Sequence, residues 1–319
     1  MERFNSDLFL TTTQVAELLS VHPSTVKRWC NEGDLEFAKT DGGHRRLHLH
    51  DVLSLSRTRS IPTFLDPFAP YEGHVWTAVN QAVHGGSFHR VHSLAMGWLT
   101  RGHVRRISAL FSSLARQPGL SFARFCDEGV RGFMEEVGET WRSGRLRVGE
   151  EHMATEALVE VLIRMRDSHP SLGDEAASGR RLAIVGSMEG DRHTLGSLCV
   201  RLMLERRGWE VFFLGADVPV EDFAAMQRAR EAGLVCVSFA PPNTAADMKR
   251  AVRILGEFYQ PEHPYSLVLG GLLADDPFLD DLELPFRELG IFGSMADFEE
   301  ALESGLGSGA PDIVVTDVA

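Results

Sequence analysis

The sequence has few cysteines, and it contains no long apolar run. The four cysteines, Cys30, Cys126, Cys199 and Cys236, are scattered and lack the spacing of metal ligands. We therefore expect reduced thiols in a cytoplasmic protein. No stretch of about 18 apolar residues occurs, which predicts that no segment spans a membrane. The first seven residues lack the pattern of a secretory signal peptide.

Positive charge is in deficit, but only in one part of the chain. Residues 1–60 hold eight basic and eight acidic residues, and residues 61–170 hold twelve of each. Residues 171–319 hold 12 basic residues against 25 acidic ones, so the whole net charge of −13 arises there. Because excess negative charge repels nucleic acid, we expect any contact with nucleic acid to come from the N-terminal part.

Changes in periodicity divide the chain into three blocks and a tail. Residues 1–60 form the first block, and a proline-containing linker follows over residues 61–72. Residues 73–170 carry helical periodicity throughout, which predicts a small helical bundle. Residues 180–305 alternate apolar strands with helices, and residues 306–319 form the tail.

The first block has the pattern of a winged helix-turn-helix. The threonines at 11–13 precede a helical pattern, and a second short helix is predicted over residues 25–30. Residues 35–49 then form a predicted hairpin with a glycine-rich tip at 41–43. The side chains suited to phosphate and base-edge contacts lie on the second helix and after the hairpin tip: Ser24, Thr25, Lys27, Arg28, His44, Arg45 and Arg46.

This block resembles the DNA-binding domain of MerR-type and excisionase-type regulators over about 50 residues. The most specific match is the run Gly-Gly-His-Arg-Arg at residues 42–46. The resemblance implies operator DNA as a partner. The long heptad helix that pairs classical MerR dimers is missing, because Pro62 and Pro67 interrupt the chain. Any homo-oligomer, dimer or tetramer, must therefore form through other parts of the protein.

The periodicity of the two later blocks predicts five helices and five strands. The helices of the bundle are expected at 73–84, 88–101, 103–117, 120–142 and 148–167. The strands of the third block are expected at 181–186, 210–214, 234–239, 265–270 and 289–292. Strands that alternate with helices predict a doubly wound, flavodoxin-like parallel sheet. The complete fold class is thus a winged helix-turn-helix, a helical bundle and an α/β domain.

A histidine follows the first predicted strand of the α/β block. His193 lies in the sequence Asp-Arg-His-Thr-Leu-Gly, with Asp191 before it and Gly196 after it. Ligands of open α/β sheets bind at the carboxyl ends of strands. An imidazole with a carboxylate two residues away has the composition of a metal ligand held by an acid. A glycine-rich nucleotide site is the weaker alternative, because no GxGxxG motif occurs.

The α/β block resembles the cobalamin-binding domain of methionine synthase and mutases. That family has an Asp-x-His-x-x-Gly motif, a serine at a later strand end and a Gly-Gly pair at another. The matching residues are Asp191, His193, Gly196, Ser238, Gly270 and Gly271. The resemblance implies cobalamin with His193 on the cobalt, Asp191 as its partner, and Ser238 and the glycines along the nucleotide tail. Ala240 departs from the family, which often has leucine there.

The helical block adds a motif of light-sensing cobalamin-dependent regulators of the CarH and LitR type. Trp141 is followed after nine residues by Glu151 and His152. In that family the bundle covers the upper face of the corrin, with the tryptophan on the adenosyl group. The resemblance implies adenosylcobalamin as the cofactor, with methylcobalamin as the alternative.

One residue departs from that family. A histidine follows its tryptophan and ligates cobalt after illumination, whereas Arg142 stands here. A guanidinium stays protonated and cannot ligate a metal. Other histidines of the bundle could substitute, and the sequence does not choose among His89, His92, His103 and His152.

These patterns together predict a non-enzymatic, cobalamin-binding and light-responsive transcriptional regulator. Its oligomerisation and DNA binding are expected to depend on the upper ligand of the corrin. A first alternative is a regulator that senses cobalamin or redox state without photochemistry. A second is a corrinoid methyl-carrier protein, which would need no DNA-binding block.

Overall fold

The computed structural model describes residues 8–167, 181–271 and 285–307, and these form two compact units. The first unit contains residues up to 120 together with 136–154, and the second contains 121–135 and the residues from 155 onward. The linker expected near 168–179 and the tail from residue 308 lie outside the described residues. No helix within the described ranges is long and apolar enough to cross a membrane.

The N-terminal block is a three-stranded antiparallel sheet with three helices. Its elements are β1 (Phe9–Thr11), α1 (Thr12–Leu18), α2 (Pro23–Glu32), β2 (Ala38–Lys39), β3 (Arg45–His48) and α3 (Leu49–Thr58). The strand order is β1-β3-β2. Thr11 and Gln14 form a capping box at the start of α1, so the threonine signal marks that helix correctly. The hairpin β2–β3 is the wing that the sequence predicts.

The helical block begins after a short 3₁₀ turn at Asp66–Phe68. Its helices are α4 (Glu72–His84), α5 (His89–Leu99), α6 (Val104–Ala115), α7 (Phe122–Arg124), α8 (Gly132–Arg142) and α9 (Val148–Asp167). The single helix expected over 120–142 is thus divided, because Phe125–Arg131 between α7 and α8 is π-helical. A π-helical stretch is a rare insertion into an α-helix and is frequent at functional sites.

The α/β block contains five parallel strands, as predicted. Its elements are β4 (Arg181–Met188), α10 (Leu195–Arg206), β5 (Trp209–Val218), α11 (Val220–Arg230), β6 (Leu234–Phe239), α12 (Ala245–Glu257), β7 (Ser266–Gly271), β8 (Leu289–Phe292) and α13 (Met295–Glu303). Alternate residues of β4 enter two separate apolar clusters: Ile184 belongs to one, and Ala183 and Val185 to the other. Both faces of the sheet are therefore covered, as in other parallel sheets.

The order of the strands locates the ligand-binding edge. The sheet runs β5-β4-β6-β7-β8, so the order reverses beside β4. In doubly wound sheets, ligands bind outside the carboxyl ends of the strands at such a switch point. The register aligns Ser187 of β4 with Ser238 of β6, and Ser238 with Gly270 of β7. The predicted serine and glycines therefore lie side by side at this edge.

Candidate functional site

His193 lies in the loop between β4 and α10, held by the buried carboxylate of Asp191. The Asp191 side chain has no exposed area, and its Oδ1 accepts a hydrogen bond of 2.8 Å from the His193 backbone N–H. The same oxygen lies 2.9 Å from His193 Nδ1. The imidazole is 61% exposed. Because Nδ1 faces the carboxylate, Nε2 is on the edge of the ring that is turned away from Asp191.

Residues from two other loops hold this loop in place. Asp217, at the end of β5, accepts a hydrogen bond of 2.8 Å from the Gly190 N–H, and its own N–H donates to the Asp191 carbonyl. Asn243, after β6, donates 2.9 Å to the Glu189 carbonyl. Asp217 has the left-handed φ of +56°, a conformation that aspartate tolerates better than most residues. The sequence interpretation missed both residues.

Two buried serines attach the backbone of His193 to α10. Ser187 Oγ donates to the His193 carbonyl at 2.8 Å and lies 3.0 Å from Ser197 Oγ. Ser197 Oγ donates to the Thr194 carbonyl at 3.0 Å. Neither serine has any exposed area. The main chain on both sides of the imidazole is therefore fixed, and the ring projects from an anchored loop.

The glycines near this edge allow close backbone approach. A Cβ on Gly196 would lie 3.3 Å from Ser238 Oγ. Gly271 has φ of +124°, and a Cβ there would lie 1.9 Å from the Phe239 carbonyl oxygen. Gly270 is less restricted, with 3.4 Å between such a Cβ and the Phe292 carbonyl oxygen. The structure thus brings Gly196, Ser238 and the Gly-Gly pair to the strand ends near the His193 loop.

The donor set suits a metal that brings most of its own ligands. Within the described part of the chain, no group of three or more His, Cys, Asp or Glu residues could hold a metal ion. A metal bound by protein alone needs three or four such ligands. One imidazole held by a carboxylate instead fits a metal in a macrocycle, where a single axial position remains for the protein.

Two buried oxygen atoms at this edge still need hydrogen-bond donors. Asp191 Oδ2 and Asn243 Oδ1 have no hydrogen-bond partner among the described residues. A buried acceptor without a donor is costly and is rare in native proteins. A ligand with amide or hydroxyl donors would satisfy both atoms. These atoms therefore support a polar ligand at this end of the sheet.

Trp141 and His152 of the motif in the helical block are exposed, and Glu151 is half-buried. Trp141, in the last turn of α8, is 45% exposed, whereas Trp29, Trp98 and Trp209 are buried. Glu151 Oε2 lies 3.2 Å from His152 Nδ1 in the first turns of α9. An indole at the surface leaves a large apolar area in water, which a flat ligand would cover.

The turn between α8 and α9 is formed by Gly144 and anchored by Leu146. Gly144 takes φ of +74°, and its N–H donates to the Trp141 carbonyl at 2.8 Å. Leu146 is buried. Gly149 lies inside the first turn of α9, and Gly144 supplies the left-handed residue of this connection.

Burial separates the four bundle histidines considered above. His92 is buried, and its Nδ1 lies 3.9 Å from Glu136 Oε2. His89, His103 and His152 are exposed, as is Arg142 beside Trp141. A surface imidazole can reach a ligand without rearrangement of the core. Exposure therefore favours His89, His103 and His152 over His92 as replacements for the histidine that is missing at position 142.

The second helix of the N-terminal block presents its polar side chains to solvent. Ser24, Lys27 and Arg28 are exposed and Thr25 is half-buried, whereas Trp29 is buried. His22 caps this helix, because its Nδ1 accepts the Ser24 N–H at 3.2 Å. Pro23 occupies the first turn, which it favours, so the helix begins earlier than the predicted Thr25.

The two arginines of the wing have different surroundings. Arg45 donates to the Lys27 carbonyl at 3.0 Å and to Asn31 Oδ1 at 2.7 Å, and its guanidinium lies 4.7 Å from the Phe37 ring centroid. Arg45 therefore joins the wing to α2. Arg46 is adjacent in β3, so its side chain points to the opposite face of the strand. His44 is exposed at the tip.

Three family matches cover most of this architecture. The family described as "Helix-turn-helix domain" matches residues 9–59. Two families described as "B12 binding domain" match residues 98–164 and 181–286. The chain carries a helix-turn-helix domain and B12-binding domains. The helical block with α8 and α9 is thus a helical B12-binding cap, and the parallel sheet with His193 is the Rossmann-like B12-binding domain.

Curated relatives share parts of this arrangement. The dimethylamine corrinoid protein of Methanosarcina barkeri is 30% identical over 133 residues, which cover 41% of this chain and 61% of that protein. The HTH-type transcriptional repressor CarA of Myxococcus xanthus is 32% identical over 156 residues, 47% of this chain and 48% of the repressor. This chain thus spans less than two thirds of either relative. The similarity indicates distant relationship to both.

A solved structure shares the fold of the B12-binding part. The monomethylamine corrinoid protein of Methanosarcina barkeri superposes with a TM-score of 0.51 at 21% identity. The match covers 66% of this chain and 96% of that protein. At this identity the similarity supports the architecture of helical cap and parallel sheet.

Proposed function

We propose that this chain is a cobalamin-dependent transcriptional regulator of the CarH and LitR type that responds to light. The observation that carries the proposal is the carboxylate-held, exposed imidazole of His193 in a chain that also has a helix-turn-helix domain. The first feature suits a corrin metal and the second suits DNA. A chain that combines them uses its cofactor as a signal, so the protein is a regulator and not an enzyme.

The α/β domain would hold the lower half of the cofactor. His193 would hold the cobalt through Nε2, and Asp191 would fix the ring and raise its basicity. Ser238, Gly196, Gly270 and Gly271 line the slot for the nucleotide tail. The amide groups of cobalamin are donors of the kind that the buried oxygens of Asp191 and Asn243 lack. The residues present therefore fit this group.

The helical cap would hold the upper half. Trp141, whose indole is exposed, would face the upper ligand, and the neighbouring pair Glu151 and His152 would approach the same ligand. We propose adenosylcobalamin, with methylcobalamin as the alternative; when bound, either supplies a cobalt–carbon bond that light can break. Arg142 cannot replace the family's second histidine. The exposed histidines His89, His103 and His152 are the candidates for that position.

The helix-turn-helix would bind operator DNA through α2 and the wing. Ser24, Thr25, Lys27 and Arg28 face the bases and phosphates, and His44 and Arg46 extend the contact from the wing. Arg45 contributes by fixing the wing to α2. A single such domain binds weakly, so the affinity depends on a homo-oligomer, dimer or tetramer, that raises the effective concentration of the others.

Two alternatives remain. Arg142 favours a regulator that senses cobalamin or redox state without photochemistry. The corrinoid proteins matched in the comparisons favour a methyl carrier, because they share the B12-binding part. The helix-turn-helix domain at residues 9–59 argues against the methyl carrier, which has no use for it.

Replacement of His193 by alanine tests the cofactor assignment. We expect the absorption spectrum of the cobalamin-loaded protein to shift, because the axial nitrogen is lost. His263→Ala is the matched control, since this imidazole is 42% exposed in the same unit and faces Glu231 at 3.9 Å. Identical spectra for His193→Ala and the unmodified protein, with both folded by circular dichroism, would refute the role of His193.

A further inference from the structure

A long segment of the helical block contains no carboxylate. Residues 73–126 include no Asp or Glu in a chain whose net charge is −13. The same 54 residues hold six arginines and five histidines. They cover most of α4 and all of α5 and α6. The segment contains these basic residues: His74, His84, His89, Arg90, His92, Arg101, His103, Arg105, Arg106, Arg116 and Arg124.

Part of this positive charge lines a cleft between α4 and α5. The cleft has a volume of about 330 Å³ and is lined by His74, Arg90, Ser93, Leu94, Gly97 and Arg101. Arg90 and Arg101 are exposed, and the Arg101 guanidinium donates to the Gly97 carbonyl at 2.6 Å. The lining of the cleft therefore offers two guanidinium groups and the hydroxyl of Ser93, which are donors of the kind that bind phosphate.

The two guanidinium groups of the cleft are not neutralised by carboxylates of the described residues. Elsewhere in the protein, Arg124, Arg201 and Arg253 each pair with a glutamate one helical turn away. Across the described residues, neither Arg90 nor Arg101 forms an ion pair. An arginine without a carboxylate keeps its full charge for a ligand, so the cleft is an electropositive surface.

This surface belongs to the same compact unit as the helix-turn-helix. Arg57 in the last turn of α3 forms an ion pair of 3.1 Å with Glu72, the first residue of α4. Arg106 of α6 donates 3.0 Å to the Ala69 carbonyl and lies 4.9 Å from the Tyr71 ring centroid. The end of the linker, at residues 69–72, is therefore attached both to α3 and to α6, and His74 of the cleft lies two residues beyond Glu72.

We propose that the α4–α5 cleft binds a backbone phosphate of the DNA that the helix-turn-helix contacts. The inference rests on the proposed DNA-binding function and extends the interface from the N-terminal domain onto the cap. Positive charge that is spread over three helices matches a polyanion better than a single small anion. Contacts to phosphate carry no sequence information, so the cleft would add affinity for any duplex.

The double variant Arg90→Gln, Arg101→Gln tests the proposal. We would titrate a fluorescent mixed-sequence duplex with the cofactor-loaded chain at several salt concentrations. Each phosphate contact contributes about 0.9 to the slope of log K against log salt, so loss of the proposed contact should reduce the magnitude of the slope by about 0.9. Arg116→Gln is the matched control, because Arg116 is exposed at the end of α6 and is not part of the cleft.

The outcomes separate this proposal from the proposed function. An unchanged slope in the double variant, in a protein that still binds DNA, overturns the cleft proposal and leaves the regulator intact. Absence of DNA binding by the unmodified chain overturns both. A slope lowered equally by Arg116→Gln indicates general charge, and thus also contradicts a specific cleft. Stabilisation by inorganic phosphate that the double variant abolishes, with an unchanged DNA slope, assigns the cleft to a small anion and overturns the DNA assignment.

Discussion

Asp191 is the residue on which the candidate site depends most. Its carboxylate is fully buried, one oxygen faces both the N–H and Nδ1 of His193, and the other has no partner in the described structure. Burial of a charge is costly unless other groups compensate. In a protein selected only for stability, a buried carboxylate with an unpartnered oxygen would not be expected. Its presence beside an exposed imidazole supports the proposed role of this loop in cofactor binding.

The variant Asp191→Asn should weaken cobalamin binding and leave the fold intact. The amide keeps the volume and one acceptor, but it removes the charge that makes His193 a better donor to cobalt. Loss of such a partner typically reduces metal affinity by about 10–100-fold. Titration of the protein with cobalamin, followed by absorbance, measures this change. Asp222→Asn, at an exposed site in α11, is the control and should bind normally. Equal affinities for the two variants would contradict the assignment.

The sequence predicts the histidine motif of this site better than the residues from other loops that hold the motif in place. Asp191, His193 and Gly196 form one local motif, so their spacing is visible in a single stretch. Asp217 and Asn243 lie in separate loops, and only the parallel packing of β4, β5 and β6 brings them to the motif. A lone aspartate or asparagine after a strand has many uses, so nothing in the sequence distinguishes these two.

At the scale of elements, the π-helical segment connects the first helices of the second unit to its last strand and helix. Asp127 accepts hydrogen bonds from the backbone N–H groups of Met295 and Ala296, at 2.9 and 3.0 Å, at the start of α13. Arg131 donates to the Gly293 carbonyl at 2.6 Å. The first N–H groups of a helix have no partners within it, so Asp127 satisfies two of them from outside.

The variant Asp127→Ala should destabilise the second unit. Removal of a carboxylate that caps a helix costs about 1 kcal/mol, within a range of about 0.5–2 kcal/mol. Glu128→Ala is the neighbouring control; it removes only a partly exposed pair with Arg124 and should cost less than about 0.5 kcal/mol. Urea unfolding, followed by circular dichroism, gives both free energies. A larger loss for the control would show that the cap contributes little.

The glycine pair of β7 allows a sharper comparison between neighbouring positions. Gly271→Ala should cost about 2–4 kcal/mol, because its Cβ would overlap the Phe239 carbonyl oxygen at a backbone angle unsuited to alanine. Gly270→Ala should cost less than about 1 kcal/mol, since its Cβ would make an ordinary contact at 3.4 Å. Denaturant midpoints of the two variants measure the difference. Equal midpoints would mean that the β6–β7 edge rearranges freely.

The strands were easier to predict than the small elements of the N-terminal block. The strands β4, β6 and β7 are apolar runs with mostly buried residues, and the start and end of every strand of the parallel sheet differ from the prediction by at most four residues. β1 has three residues, and α3 follows β3 without an intervening turn. Neither leaves a clear periodic signal, because the contacts that define them come from distant residues such as Leu47 beside Leu10.

At the scale of the whole molecule, charge and chemistry are distributed by block. The acidic excess lies in residues 171–319, whereas the segment without carboxylates lies in the helices attached to the helix-turn-helix. Because the excess acidic residues lie elsewhere, the N-terminal part can approach nucleic acid without strong electrostatic repulsion. In the proposed function, the α/β domain supplies the histidine for the cofactor. Cofactor and DNA are thus assigned to different parts of one chain, which is the arrangement that a regulator requires.

The central claim is that the cofactor controls DNA binding through assembly. The most direct measurement uses the purified chain loaded with adenosylcobalamin in darkness and a duplex that this protein selects from a randomised pool. Mass, absorbance and DNA affinity are recorded before and after green light. We predict that light changes the spectrum and that the oligomeric mass and the DNA affinity fall together. A changed spectrum with unchanged mass and unchanged DNA affinity would contradict the account.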